Sequence, residues 1–408
     1  MYLTGLIHRA RLFDVATRWF RDWVEPGDGR FVTEVFTYES LISGPTARTF
    51  LIDILSAVHD PPFQLRRVRR KESVRDAIVA SCRVPPPDME SLFEQYHHLP
   101  EEFFPRTPVD LMLATRRDGS LVGMTRIKRV RRIAEKASRR VADRLAGAIY
   151  RSARSLAEER ARIVGIPLTD LVSSPETMVE EFAAAERIVS QAFRDRELNF
   201  EPDDLRIDDV IGFKFTGTLR EQARIEDAIA QHPGATIVER EVHRGSYNAV
   251  NLLVDLDLPP AATTIDRLRL CDWGFAAGRG IEPRELAEGL PLYVESGART
   301  FRTEIILTTY EELVQSEFGL SIHEERILDQ RRSAPYTGRI ASNVSFLIEY
   351  LLMLALSPTL EVDSLPVKMW GRYLPDSFSM AVWELFGIRP GEVMMNTFLS
   401  EPDDRLCA

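Results

Sequence analysis

Three cysteines in 408 residues, Cys82, Cys271 and Cys407, are too few and too irregularly spaced for a disulfide framework or a thiolate metal site. That scarcity fits a reduced, cytoplasmic setting. Missing too is any apolar run long enough to cross a bilayer: the longest, FLIEYLLMLALS at 346–357, is short, contains Glu349 and predicts a buried helix. The N-terminal MYLTGLIHRARLFDVATRWF mixes charges with apolar residues, which predicts an amphipathic helix rather than a secretory signal. There is no Walker loop, no G-x-S-x-G elbow and no Rossmann glycine fingerprint, and Gly278-Arg279-Gly280 signals only a turn. Internal repeats and low-complexity tracts are absent. A net charge of −10 disfavours nonspecific nucleic-acid binding by the whole molecule.

What is present suggests two or three domains, with 44% hydrophobic residues to build a substantial core. Residues 1–110 read as mainly helical and irregular, broken by Pro61-Pro62 and Pro85-Pro86-Pro87, with Trp19, Phe20 and Trp23 at helical spacing as core positions. Residues 111–330 contain five β-rich runs bounded by turn residues, near 121–127, 210–216, 236–243, 249–256 and 303–309. Helical patterns at 131–163 and 175–198 fall between the first and second of these, with Gly165 and Pro167 marking the break. Residues 331–408 predict a helical closing segment. Basic residues gather in Arg126–Arg154 and in Arg66, Arg67, Arg69, Arg70 and Lys71, clusters that attract polyphosphates. Beyond Lys136 the first cluster also reads as the solvated face of a helix, paired with acids.

The two most informative strings are RIDDVIGFKF at 206–215 and RTEIILTTYEELVQSEFGLSIHEER at 302–326. Each delivers one carboxylate, Asp209 or Glu304, among apolar β-formers. Acids in such runs are rarely buried unless paired or bound to a metal, so they point to a site for Mg²⁺ and phosphate. Two histidine motifs point nowhere comparable. His59-Asp60 is followed at once by Pro61-Pro62 and lacks recognisable partner ligands, while His97-His98 are adjacent and point apart.

These strings resemble the synthetase domain of the RelA/SpoT family, which transfers pyrophosphate from ATP to the 3′-hydroxyl of a guanine nucleotide. Asp209-Val210-Ile211-Gly212-Phe213-Lys214 resembles the family's D-x-x-G-x-R, with Lys for Arg. Glu304-Ile305-Ile306-Leu307-Thr308-Thr309 resembles E-I-Q-I-R-T, without the Gln and Arg. Glu317 to His323 is similar to the E-x-G-x-x-x-H helix that follows. Arg126, Lys128, Ile133 and Lys136 resemble the phosphate-contacting R-x-K-x-x-x-S-I-x-x-K segment, with Arg132 in the Ser position. Tyr247 and Asn251 occupy a G-Y-x-x-x-H motif whose Gly and His are replaced.

The resemblance covers roughly residues 111–330 and implies an α+β fold: a mixed five-stranded nucleotidyltransferase-like sheet flanked by helices, with a helical insertion at about 137–200. It implies Mg²⁺ on Asp209 and Glu304, with both acids in catalysis and Glu304 as the candidate for removing the hydroxyl proton. Arg126, Lys128, Lys136 and Lys214 would hold the ATP phosphates. Tyr247 would stack on the acceptor base, a reading level with that of an ordinary strand tyrosine, and Asn251 would lie beside it; His323 is a further candidate, read first as a structural histidine on an amphipathic helix. The implied partners are ATP and an acceptor nucleotide, a guanine nucleotide by the resemblance, or a tRNA end, with no membrane involved. Two alternatives remain at this stage. One is a catalytically degenerate nucleotide sensor or scaffold, suggested by the replaced motif residues; the other is an RNA-binding module using the basic 126–154 segment.

Overall fold

The computed structural model describes residues 1–82, 85–245, 248–319, 338–373 and 377–387. Among the described residues nine strands form, in chain order β1 (Tyr2–Leu3), β2 (Gln64–Arg70), β3 (Pro108–Thr115), β4 (Leu121–Ile127), β5 (Arg206–Ile207), β6 (Ile211–Thr216), β7 (Ala235–His243), β8 (Ala249–Asp257) and β9 (Thr300–Thr308). Seven make one mixed sheet in the order β2-β3-β4-β6-β9-β8-β7, antiparallel at every pairing except β6 with β9. β1 and β5 pair separately and in parallel.

The five expected strands are all in the sheet, but the sheet has seven, so the five-stranded expectation is corrected. The added strands are β2 and β3. QLRRVRR at 64–70 lies at the sheet edge, where only Val68 is buried and the arginines face solvent. Such a strand lacks the apolar run of a central one, and the reading of 1–110 as helical and irregular passed over it.

Along β9 the burial alternates with the pleat. Phe301, Thr303, Ile305 and Leu307 are buried, whereas Thr300, Arg302, Glu304 and Ile306 are half-buried. β8 repeats the alternation with Leu252, Val254 and Leu256 inward. A period of two therefore gives the sheet one closed and one open face.

The closed face is covered by helices α1 (Arg9–Phe20) and α2 (Asp28–Val58) among others, in a core that also takes in the closing helix. Close approach of α2 is possible because position 123 is glycine: a Cβ there would stand 3.3 Å from Leu51 and 3.4 Å from Phe215. Phe50 of α2 meets Phe213 edge-on at 5.2 Å. Trp19 and Phe20 are buried as expected, but Trp23 is 42% exposed, lying just past the end of α1 beside Arg196 and Arg18. A smaller core covers one end of the open face. It joins Val68, Leu113 and Met124 of the sheet to α3 (Lys71–Ser81), α4 (Pro87–His98) and a later helix carrying Phe318.

Between β4 and β5 the chain forms a helical hairpin, α5 (Val130–Val164) and α6 (Pro175–Arg194). Gly165 ends α5 in the left-handed region at φ 79°, letting its own N–H and that of Ile166 close on the Ala161 carbonyl. Along α5 the later basic residues pair with acids, Arg144 with Asp204 at 3.7 Å and Arg154 with Glu158 at 2.9 Å, as a solvated face would. The remaining α-helices among the described residues are α7 (Leu219–Gln231), α8 (Ala261–Arg269), α9 (Pro283–Ser296), α10 (Tyr310–Phe318), α11 (Arg339–Met353) and α12 (Ser377–Leu385). α2 and the 339–356 segment are long and apolar enough to cross a membrane by length and composition, yet many of their residues are buried in the fold.

Candidate active site

The open face is built around a row of three residues in register. Arg126 of β4 stands opposite Gly212 of β6, which stands opposite Glu304 of β9. Directly opposed residues share a face, so the Arg126 side chain can cross β6 to reach Glu304, and Nη2 meets Oε2 at 3.1 Å. The glycine makes this passage possible: a Cβ at 212 would come within 3.2 Å of Arg126 Nε.

Asp209 lies three residues before Gly212, roughly 10 Å of extended chain, so the two acids approach the cluster from different ends. It is 9% exposed. The ammonium groups of Lys128 and Lys136 both donate to its Oδ2, while Lys128 N–H holds the Val210 carbonyl at 2.8 Å. Burial opposes ionisation of this carboxyl, but the two lysines outweigh it and hold Asp209 well below the usual carboxylate range. Burial also pushes Lys128 down to about 8 against the pull of Asp209, with Lys136 and Arg126 adding to the fall. Arg126, the partner of Glu304, therefore lies within electrostatic reach of Lys128, a partner of Asp209.

Lys214 is two residues past Gly212 and so shares its face. Burial brings its ammonium down to about 8, opposed by Glu317 and Glu304 and reinforced by Arg126 and Lys71. Glu317 of α10 ion-pairs with Lys71, the first residue of α3. Burial would raise the Glu317 carboxyl, yet Lys71, Lys214 and Arg75 hold it at about 2. Asn251 of β8 pairs in register with Ile306, beside Glu304, and its buried Oδ1 has no hydrogen-bond partner among the described residues. Tyr247 and His323 lie outside the described residues.

The face thus gathers Lys71, Arg126, Lys128, Lys136 and Lys214 against Asp209, Glu304 and Glu317, an excess of two positive charges on a chain of net charge −10. Lys71 and Glu317 went unpicked as site residues in the sequence. A signal for the first was available: only five of the 52 Lys and Arg residues are lysine, and four of those five stand here. The fifth, Lys368, pairs with Asp22 elsewhere. A cavity of about 310 Å³ lined by Pro45, Phe50, Asp53, His232 and Arg267 contains none of these residues.

A hard divalent cation can be matched to this donor set through the carboxylates of Asp209 and Glu304. Among the described residues no three His, Cys, Asp or Glu side chains are grouped to hold a metal. Asp209 Oδ1, however, is buried without a partner, and the Arg126 contact uses only Oε2 of Glu304. Mg²⁺ is commonly bound by one or two carboxylates, with phosphate and water oxygens completing the octahedron.

No family model matches the chain, and no curated protein matches it. Among solved structures it is similar to the small alarmone synthetase 1 from Bacillus subtilis, at 12% identity over 57% of this chain and 74% of that one, with a TM-score of 0.21. It is also similar to a GTP pyrophosphokinase family protein from Streptococcus pneumoniae, at 13% identity over 53% and 88%, with a TM-score of 0.19. Those are names of the family that the motifs resemble. At such scores the likeness carries no functional weight, which rests instead on the geometry above.

Proposed function

We propose that this chain transfers a pyrophosphoryl group from ATP to the 3′-hydroxyl of an acceptor nucleotide, a guanine nucleotide by the motif resemblance, or of an RNA end such as that of tRNA. The observation that carries the reading is the excess of cations around two acids, Glu304 on β9 and Asp209, which lies not within a strand, as expected, but in the short link between β5 and β6. A triphosphate is the kind of ligand such an excess suits, since its charge is spread over many oxygens.

In this reading Arg126, Lys128, Lys136 and Lys214 hold the phosphates. Asp209, through Oδ1, and Glu304 would hold Mg²⁺, which when bound neutralises developing phosphate charge. The acceptor oxygen forms a bond to the β-phosphorus as the bond from that phosphorus to the α,β-bridging oxygen breaks, and AMP leaves. Glu304 takes the hydroxyl proton, so Arg126 must transfer its donor from Glu304 to a phosphate oxygen. The unpartnered Asn251 Oδ1 can accept from the acceptor nucleotide, and Tyr247 would stack on its base.

The test is incubation of the purified protein with γ-labelled ATP, Mg²⁺ and a panel of GDP, GTP, ATP and tRNA, with products resolved chromatographically. Label carried to one acceptor with matching AMP release supports transfer; ATP binding without any transfer overturns it. A second reading, nucleotide binding without turnover, has its own observation. The residues in the Gln and Arg positions of the family's strand are Ile306 and Thr308, on the same side as Glu304, and the Thr308 hydroxyl is buried without a partner among the described residues. Neither brings the positive charge with which an Arg holds a phosphate.

A further inference from the structure

A buried acid needs cations, and the way they are arranged says what the acid is for. Glu317 sits at the edge of the smaller core with its side chain 13% exposed. Lys71 alone would neutralise it. Arg75, one turn further along α3, grips the main chain instead: its Nε donates to the Glu317 carbonyl at 2.9 Å and its Nη1 to the Phe103 carbonyl. The end of α10 is clamped on α3 through side chain and backbone together, so the Glu317 carboxylate has little freedom to move.

Lys214 faces this fixed charge from the sheet: it pairs in register with Met124, which packs in the smaller core with Phe318, the residue after Glu317. The Lys214 ammonium makes no hydrogen bond or ion pair of its own among the described residues, although Arg126 is engaged with Glu304, Lys71 with Glu317, and Lys128 and Lys136 with Asp209. The groups acting on it are Glu317 from α10, Glu304 from β9, Arg126 from β4 and Lys71 from α3, with Glu317 first among the charges. An ammonium is a compact charge on a flexible stem and, unlike a guanidinium, has no planar fork to orient it. Its position is therefore set by the field around it.

We propose that Glu317 is a positioning residue: anchored by Lys71 and Arg75, its carboxylate fixes where the unpaired Lys214 ammonium stands on the open face, and so where a phosphate of the nucleoside triphosphate is held. The phosphate part rests on the triphosphate reading of this face; the coupling of Glu317 to Lys214 does not.

Scarcity of lysine makes the coupling directly readable. Reductive ¹³C-methylation keeps each ammonium charged and gives the five lysines separate methyl resonances, with that of Lys214 assigned by its loss in Lys214→Arg. Glu317→Gln should shift the Lys214 resonance and lower its titration midpoint below about 8, because the strongest group favouring its charged form is gone. MgATP affinity, measured by calorimetry, should fall by roughly tenfold, the scale of one charge-assisted hydrogen bond. Lys71→Met should move the same resonance, whereas Arg151→Gln should not. An unmoved Lys214 resonance in folded Glu317→Gln overturns the proposal. Should that variant fail to fold, Glu317→Asp retracts the charge by one methylene and is read in the same way, a shift supporting the coupling and no shift overturning it. A shifted resonance in a protein that never binds MgATP would keep the coupling and overturn the phosphate assignment.

Discussion

On one face of the central sheet Phe213, Phe215, Ile305 and Leu307 are at most 2% exposed and pack under helices; on the other, one residue out of step, stand Arg126, Lys214 and Glu304. Two strands, β6 and β9, contribute to both. The closed face is redundant, since many apolar contacts share the work of excluding water. The open face has no such redundancy, because its charges, Lys214 apart, are each compensated by particular partners, and partly buried charges are tolerated only while those partners remain. One face should therefore control whether the chain folds and the other what it does once folded.

The sharpest way to break that division is at the acids. Asp209→Asn and Glu304→Gln should each abolish detectable pyrophosphoryl transfer, a loss of about a thousandfold or more, with melting temperature changed by only a few degrees. Near-normal turnover in either variant would remove that acid from the chemistry. The reciprocal substitution is Phe213→Ala, which should cost about 3–5 kcal/mol of stability in denaturant unfolding. MgATP affinity of the fraction that stays folded should be unchanged.

Within the basic residues the comparison can be sharpened further. Lys136→Met, at the Asp209 cluster, should weaken MgATP binding by about ten- to a hundredfold, against less than about twofold for Arg151→Gln on the exposed stretch of α5. Equal losses would mean diffuse electrostatics and would favour the RNA-binding alternative.

The smallest effect is one of pH, and it has opposite signs in the two regions. Glu317, held at about 2 against an ordinary 4.5, contributes stability that is complete above pH 4.5 and is lost as pH falls toward 2. Glu39 of α2, on the closed side, is the reverse. Burial raises it to about 7, against hydrogen bonds from Ile7 N–H and the Tyr293 hydroxyl, so the folded state prefers it protonated and stability declines as pH rises from 4.5 to 7. Glu39→Gln should flatten that decline in thermal melts between pH 5 and 7, and Glu317→Gln should not.

Five strands were legible because their apolar runs and turn residues signal locally, and the pairings of Arg126, Lys128 and Lys136 with the two acids join motifs that the resemblance had already singled out. β2 was hidden because an edge strand with four arginines has little apolar pattern to show. Lys71 and Glu317 were hidden for a different reason. They are 246 residues apart, and no local spacing reports that α3 and α10 lie side by side. Trp23 misled because helical spacing continues past the point where the chain turns away, Asp22 having φ 62°.

The alternation along β9 has a consequence for assembly as well as chemistry. β6 and β9 form the sheet's one parallel pair, joined through a long connection that includes β7 and β8, so no tight turn dictates their alignment. A slip by a single residue would rotate Glu304 into the apolar core and Ile305 out of it. Burying an unpaired carboxylate there would cost several kcal/mol, far more than the slipped hydrogen bonds could return. The charge at position 304 thus acts as a proofreader of strand alignment, rejecting misregistered sheets before any substrate arrives.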